Sequence, residues 1–319
     1  MRLLLAMLAA ASALAVAIPL SARAQALADP EANLVAELVV QAVEPGPAWW
    51  RVRDGDTTVY VLGLADDDLP ADLAWDRRFL ERRLDGANLL IVGNRISLKG
   101  GLRDIPTLLK ARSQLRTKTP LEETLPTELR TRFVAARERI GRPAKRYAGW
   151  QPLMAGEMLV EDTRGATDET GSLAREVEKL ARRGKVRTVV PATYDAVPFI
   201  RQALGGITPA VHRQCLEGAL ADAEAPRARW RGALEGWARG DVAQALSEPR
   251  SFDKCLLLLG GGAELWDRAV RDQASAIEGA LATPGHAVAL VSLRPWLAQS
   301  GIAAQLRARG LQVSGPGEP

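Results

Sequence analysis

Histidine is almost missing from this chain: only His212 and His286 occur among 319 residues. A side chain used in metal centres and in nucleophile–base pairs is therefore available at two positions at most. Cysteine is as scarce, with Cys215 and Cys255 alone. Neither has a histidine that would make a catalytic thiolate of it, so one disulfide is the reading of the pair. Aromatic residues make up 5% of the chain and are not interleaved with basic ones. With no lysine-rich block and no basic tail, nucleic acid is excluded as a partner. No Gly-x-Ser-x-Gly elbow occurs, and no glycine-rich phosphate loop follows a strand. The triple glycine of "LLLLGGGAELW" reads as the entry turn of a helix.

Long apolar runs are missing too, except at the start. "LLLAMLAAASALAVAIPLSARAQ" follows Met1 and Arg2. One positive charge, a Leu/Ala stretch, a break at Pro19 and the small-x-small ending Ala22-Arg23-Ala24 predict a signal peptide over residues 1–24. An uncleaved anchor is the alternative. Cleavage would remove Arg2 and Arg23 and no acid, taking the formal net charge from +4 to +2. The remaining run, "CLLLLGGG", is too short to span a bilayer, so no transmembrane segment is expected after cleavage. The expectation is a periplasmic or secreted protein, an oxidising setting that favours the Cys215–Cys255 bridge.

The chain left after cleavage, residues 25–319, is long enough for one large domain, and its apolar content suffices for a full core. "PAWWRVRDGDTTVYVLG" predicts a hairpin around Asp54-Gly55-Asp56, with Trp50, Val52, Thr58, Tyr60 and Leu62 alternating along it. "WDRRFLERRLDGA" predicts a helix and "NLLIVGN" a buried strand, which together with the hairpin's second strand make a βαβ unit. A short helix is expected around Leu34 to Val43. The middle is helical, interrupted by "VRTVVPA", a short strand. Trp230, Leu234 and Trp237 share a helix face and are read as core. A long helix, the strand "HAVALVSL" and "GIAAQLRARGLQV" close the chain. The arginine pairs Arg77-Arg78, Arg82-Arg83 and Arg182-Arg183 are read as solvated helix faces. The fold class is α/β: a central mixed, largely parallel sheet flanked by helices, with a large helical middle section.

The order of these segments resembles the TraB/GumN family. "PAWWRVRDGDTTVYVLG" is similar to the family's opening, where a strand leads to a Gly-Thr-x-His motif. "RERIGRPAKRYAGWQPLMAG", "ARRGKV", "WARGD" and "ELWDRAVRDQASAIEGAL" resemble later segments in the expected order. "HAVALVSLRPWLAQSGIAAQLRARGLQV" resembles the C-terminal block with its Gly-x-Gly-His motif. The resemblance implies a fold similar to Tiki-type, erythromycin esterase-like and ChaN-like proteins. It also implies that active members hold a divalent ion with histidines and glutamates at strand ends, where the ion can activate water.

This chain departs from that pattern at every donor position. Gly63 keeps the first motif's glycine, but Leu64 stands for its threonine and Asp66 for its histidine. Gly93 stands for a glutamate. The C-terminal motif falls on Ser292, Leu293, Arg294 and Pro295, with Pro295 at the histidine. A second glutamate position, after Gly184-Lys185, falls near Val190 or Pro191. Glycine and proline offer no side-chain donor. His212 reads as an ordinary helix histidine, and His286 lies at the wrong end of its strand.

The expectation is therefore no catalytic residue, no metal ligand and no cofactor. A vestigial or ligand pocket is expected around Gly63, Asp66, Asp67, Asp68 and Arg294, with an Asp66–Arg294 ion pair as one way to fill it. The implied function is non-catalytic binding of an envelope protein or ligand. The alternative is a divergent metal-dependent hydrolase or peptidase that recruits Asp66 and other acids around a divalent metal.

Overall fold

The structure, a computed structural model, describes residues 29–42, 45–65, 68–98, 101–164, 171–257 and 259–316. Residues 1–24, read as a signal peptide, lie outside them, as do Asp66 and Asp67; of Asp68 only the backbone is described.

The hairpin forms where the turn signal stands. Strands β1 (Trp49–Arg53) and β2 (Thr57–Leu64) pair antiparallel. Between them the Asp54 carboxylate accepts the backbone N–H of Thr57 at 3.0 Å and that of Asp56 at 3.3 Å, which closes the turn. The register sets Trp50 opposite Val61 and Val52 opposite Val59. Thr58, Tyr60 and Leu62 therefore lie on the other face from Trp50 and Val52, each set alternating along its own strand as expected. Directly paired residues share a face, and a shift of one residue moves the whole set across.

The remaining strands are β3 (Asp68–Leu69), β4 (Leu89–Ile91), β5 (Arg95–Ser97), β6 (Gly171–Ser172), β7 (Arg187–Val189), β8 (Thr193–Asp195), β9 (Gly285–Ser292) and β10 (Gln312–Ser314). Six of the strands form one sheet in the order β10-β1-β2-β9-β4-β7. Strands β2, β9, β4 and β7 run parallel, and β1 runs against both its neighbours. The βαβ unit of β2, helix Arg78–Leu84 and β4 exists, but β9 is inserted between its two strands. Residues Ala287 to Leu290 of β9 are all but fully buried, which suits a central parallel strand covered on both faces. Helix Gly262–Ala280 lies against β4 and β9 and packs on helix Ile302–Ala308. The buried amide of Gln273 donates to the carbonyls of Val92 (3.3 Å) and Leu290 (3.2 Å), tying together the ends of β4 and β9.

Two short ladders were not legible in the sequence: β3 with β6, antiparallel, and β5 with β8, parallel. The helix expected near Leu34 to Val43 is only a 3-10 turn, Ala36–Leu38. The flanking chain pairs instead with distant backbone, at Leu34 with Ala298 and Gln41 with Asp241, which leaves too few residues for a helical nucleus.

The helical middle builds its own core. Helices Pro152–Arg164 and Pro209–Glu224 cross closely; a Cβ on Gly156 would sit 3.0 Å from that of Ala219. Cys215 and Cys255 are disulfide-bonded, with Cα atoms 5.3 Å apart, and join Pro209–Glu224 to helix Ser251–Leu256. Buried Asp222 accepts the backbone N–H groups of Ser251 (2.8 Å) and Phe252 (2.9 Å), satisfying the first turn of that short helix from outside it. Buried Asp162 accepts from the Tyr147 hydroxyl at 2.7 Å and pairs with Arg142 and Arg146. The segment "RERIGRPAKRYAGW" thus docks onto Pro152–Arg164.

Most arginine pairs sit on solvated faces, with one exception. Arg83 is half-buried and stacks on Trp49 and Tyr60 at 4.4 and 4.7 Å from the ring centroids. Among the described residues, no helix is long and apolar enough to cross a membrane.

Candidate functional site

The carboxyl ends of β2, β9, β4 and β7 lie at one edge of the sheet, where open parallel sheets place their binding crevices. At that edge Leu64 pairs with Ser292, and the chain after β4 passes through Gly93 and Asn94. A cavity of about 730 Å³ opens here, lined by Leu64, Gly93, Asn94, Ser292 and, from helix Leu173–Arg183, Arg175 and Glu178. A second cavity, of about 570 Å³, shares Leu64, Ala65 and Ser292 with the first. It extends toward the helical middle past Arg294, Pro295, Glu157, Glu161 and Trp230. Of the family-motif positions, Leu64, Gly93, Ser292, Leu293, Arg294 and Pro295 thus line these two adjoining cavities, Val190 and Pro191 line neither, and Asp66 lies outside the described residues.

Gly63 keeps its place for a packing reason. A Cβ there would collide with the Leu293 side chain and lie 2.7 Å from Cζ3 of Trp50. Its carbonyl oxygen accepts the indole N–H of Trp237 at 2.7 Å. Trp237 is buried, as read from the stripe it shares with Trp230 and Leu234. Trp50 itself packs on Trp296, ring centroids 6.1 Å apart, and donates its N–H to the Leu38 carbonyl.

Arg294 is held on the helix Leu293–Leu297 that follows β9. Its Nε donates to Glu248 at 2.9 Å, and its other arm donates to the carbonyl of Leu246. Its carboxylate partner among the described residues is therefore Glu248, which the sequence reading did not single out. Pro295 sits one residue on, and its carbonyl occupies the space a Cβ of Gly301 would need.

The second cavity is acidic. Burial pushes the Glu157 carboxyl above its usual range, and the nearby charges of Glu161 and Asp253 push it further. Burial also raises Glu31, against the hydrogen bond from the Trp266 indole and the charge of Arg250, which both hold it down. None of these acids stood out in sequence, because their proximity is made only by helix packing.

Both histidines are engaged elsewhere. His212 lies in Pro209–Glu224, where its Nδ1 accepts the backbone N–H of Leu153 at 3.4 Å, and burial lowers its pKa. His286 is at the amino end of β9, opposite the cleft, with Nε2 3.1 Å from the Arg83 carbonyl. Leu64, Gly93, Ser292 and Pro295 offer one hydroxyl between them. Among the described residues, no group of three or more His, Cys, Asp or Glu could hold a metal ion. The described donors at this edge do not fit the divalent ion that the resemblance implies.

The fold and cleft define an α/β protein built on a mostly parallel sheet, with its crevice at the carboxyl edge. A family model described as TraB/PrgY/gumN matches residues 48–315, and the chain belongs to that family. No curated protein and no solved structure gives a significant match.

Proposed function

We propose that this is an exported, non-catalytic member of the TraB/PrgY/gumN family that binds an envelope protein or ligand at the carboxyl-edge cleft. One observation carries the reading. The strand ends converge on a formed cleft, yet Gly93 stands where the family has a glutamate and Pro295 where it has a histidine. A crevice that keeps its shape without its donors can bind but cannot activate water. Export is supported by the leader of residues 1–24 and by the Cys215–Cys255 bridge, a bond that persists in oxidising compartments. The periplasm or the exterior is the proposed location, and no cofactor is required.

Elemental mass spectrometry of the protein, purified without a histidine tag or chelator, tests this. The expected result is no stoichiometric metal. A bound divalent metal that is lost in Asp66→Ala would overturn the proposal in favour of a metal-dependent hydrolase.

A further inference from the structure

The exposed large apolar side chains of the described protein are confined to one stretch: Ile96, Leu98, Leu102, Ile105 and Leu109. Leu102 is 87% exposed and Ile96 67%. The stretch begins on β5, and its last two members lie one turn apart on helix Ile105–Leu115. That helix turns Ala111 inward and packs against helix Ala196–Gly206, so the outward apolar residues are surplus to the core. Clustered exposed apolar side chains of this kind mark a binding surface.

The charges on the same stretch indicate what binds. Arg103, Lys110 and Arg112 are exposed, and none has a carboxylate partner among the described residues. The one acid between Ile96 and Leu109, Asp104, is taken up by Arg201 at 3.2 Å. Apolar side chains set among unpaired cations are the composition of a surface that lies on an anionic bilayer. A second copy of the chain fits less well, since a two-fold contact would set this cationic patch against itself.

We propose that the exposed stretch carrying Ile96, Leu98, Leu102, Ile105 and Leu109 docks on an anionic membrane surface, inserting these side chains while Arg103, Lys110 and Arg112 meet lipid headgroups. The contact is interfacial rather than spanning. None of these residues lines either cavity of the carboxyl-edge cleft, although Arg95, next to Ile96, does, and the proposal stands whether or not that cleft is catalytic.

The test is co-sedimentation with vesicles of phosphatidylcholine alone, or with about a third phosphatidylglycerol. The chain is started at Gln25, which keeps every described residue and removes the apolar leader. Wild type is expected to partition onto the anionic vesicles and to be released by high salt. Leu102→Ser with Leu109→Ser, and separately Arg103→Glu with Lys110→Glu, should each lower partitioning at least about tenfold. All four side chains are exposed, so thermal midpoints should stay at the wild-type value. Absence of wild-type partitioning, or partitioning unchanged in both variants, overturns the proposal. So does a dimer in sedimentation equilibrium that the serine variant dissolves while no vesicle binding occurs; the face would then be a self-association surface.

Discussion

The indole N–H of Trp237 donates to the carbonyl oxygen of Gly63 at 2.7 Å, with both residues buried. Gly63 is the penultimate residue of strand β2, and Trp237 lies on helix Arg227–Ala238 of the helical middle. One hydrogen bond thus fixes the helical region to the sheet edge at the mouth of the cleft. Trp237→Phe should remove it, leave the carbonyl without that donor, and cost about 1–3 kcal/mol. Urea unfolding at neutral pH measures this; an unchanged midpoint would mean that the bond contributes nothing net.

Gly63→Ala should destabilise by overpacking rather than by lost bonding. Its methyl group would press on Leu293 and Trp50 in a filled interior. The expected cost is roughly 1–3 kcal/mol, and Leu293→Ala should recover part of it. A double-mutant cycle in urea would show coupling between the two positions. Strict additivity would refute a direct clash.

Removing Asp162 should be among the more damaging changes in the helical middle. The Tyr147 hydroxyl is held protonated far above the usual range, first by burial and then by its bond to Asp162. Asp162→Ala would orphan that hydroxyl and release Arg142 and Arg146. The loss should be roughly 3 kcal/mol, since both arginines reach solvent and can rehydrate. Calorimetry of the variant checks the value.

Glu157 makes a pH prediction of the opposite sign to an ion-paired acid. Its folded-state pKa is raised above 4.5, by burial first and then by Glu161 and Asp253. Between the unfolded and folded values the native state binds more protons, so Glu157 lowers stability as pH rises through its folded pKa. Glu157→Gln should therefore stabilise the protein at pH 7. The gain should vanish as pH falls below the unfolded value. Denaturation midpoints from pH 4 to pH 8 would show it; a gain independent of pH would assign the effect to packing.

The disulfide closes a loop between residues 40 apart in sequence. In the chain-entropy model, replacing both Cys215 and Cys255 by serine should cost about 4 kcal/mol. Thermal unfolding of the double variant, compared with reduced wild type, measures it.

The readable parts of the fold were local. Asp54-Gly55-Asp56 marks its turn by side-chain chemistry alone. The run "HAVALVSL" is apolar on both faces and could only be a covered strand. The family segments and their order were legible for the same reason, and so was the pairing of the only two cysteines. Other features depend on residues far apart in sequence. The insertion of β9 between β2 and β4 leaves no mark on any of the three. Ladders of two or three residues, such as β3 with β6, carry too little periodicity to read. Alternation gave the period of the hairpin strands, but only the pairing set Thr58, Tyr60 and Leu62 on the face opposite Trp50 and Val52.

At the cleft, the sequence by itself determined an inventory. There are two histidines, and of the motif's donor positions Gly93 and Pro295 carry no side-chain donor that any fold could supply. Only the tertiary structure decided what those residues surround. Strand order brings Leu64, Gly93 and Ser292 to one edge, helix packing sets Glu157 among other acids, and Arg294 is turned onto Glu248. Side-chain identity is a property of position in the chain, whereas proximity is set by which apolar faces bury one another, and that is settled only when the whole core closes.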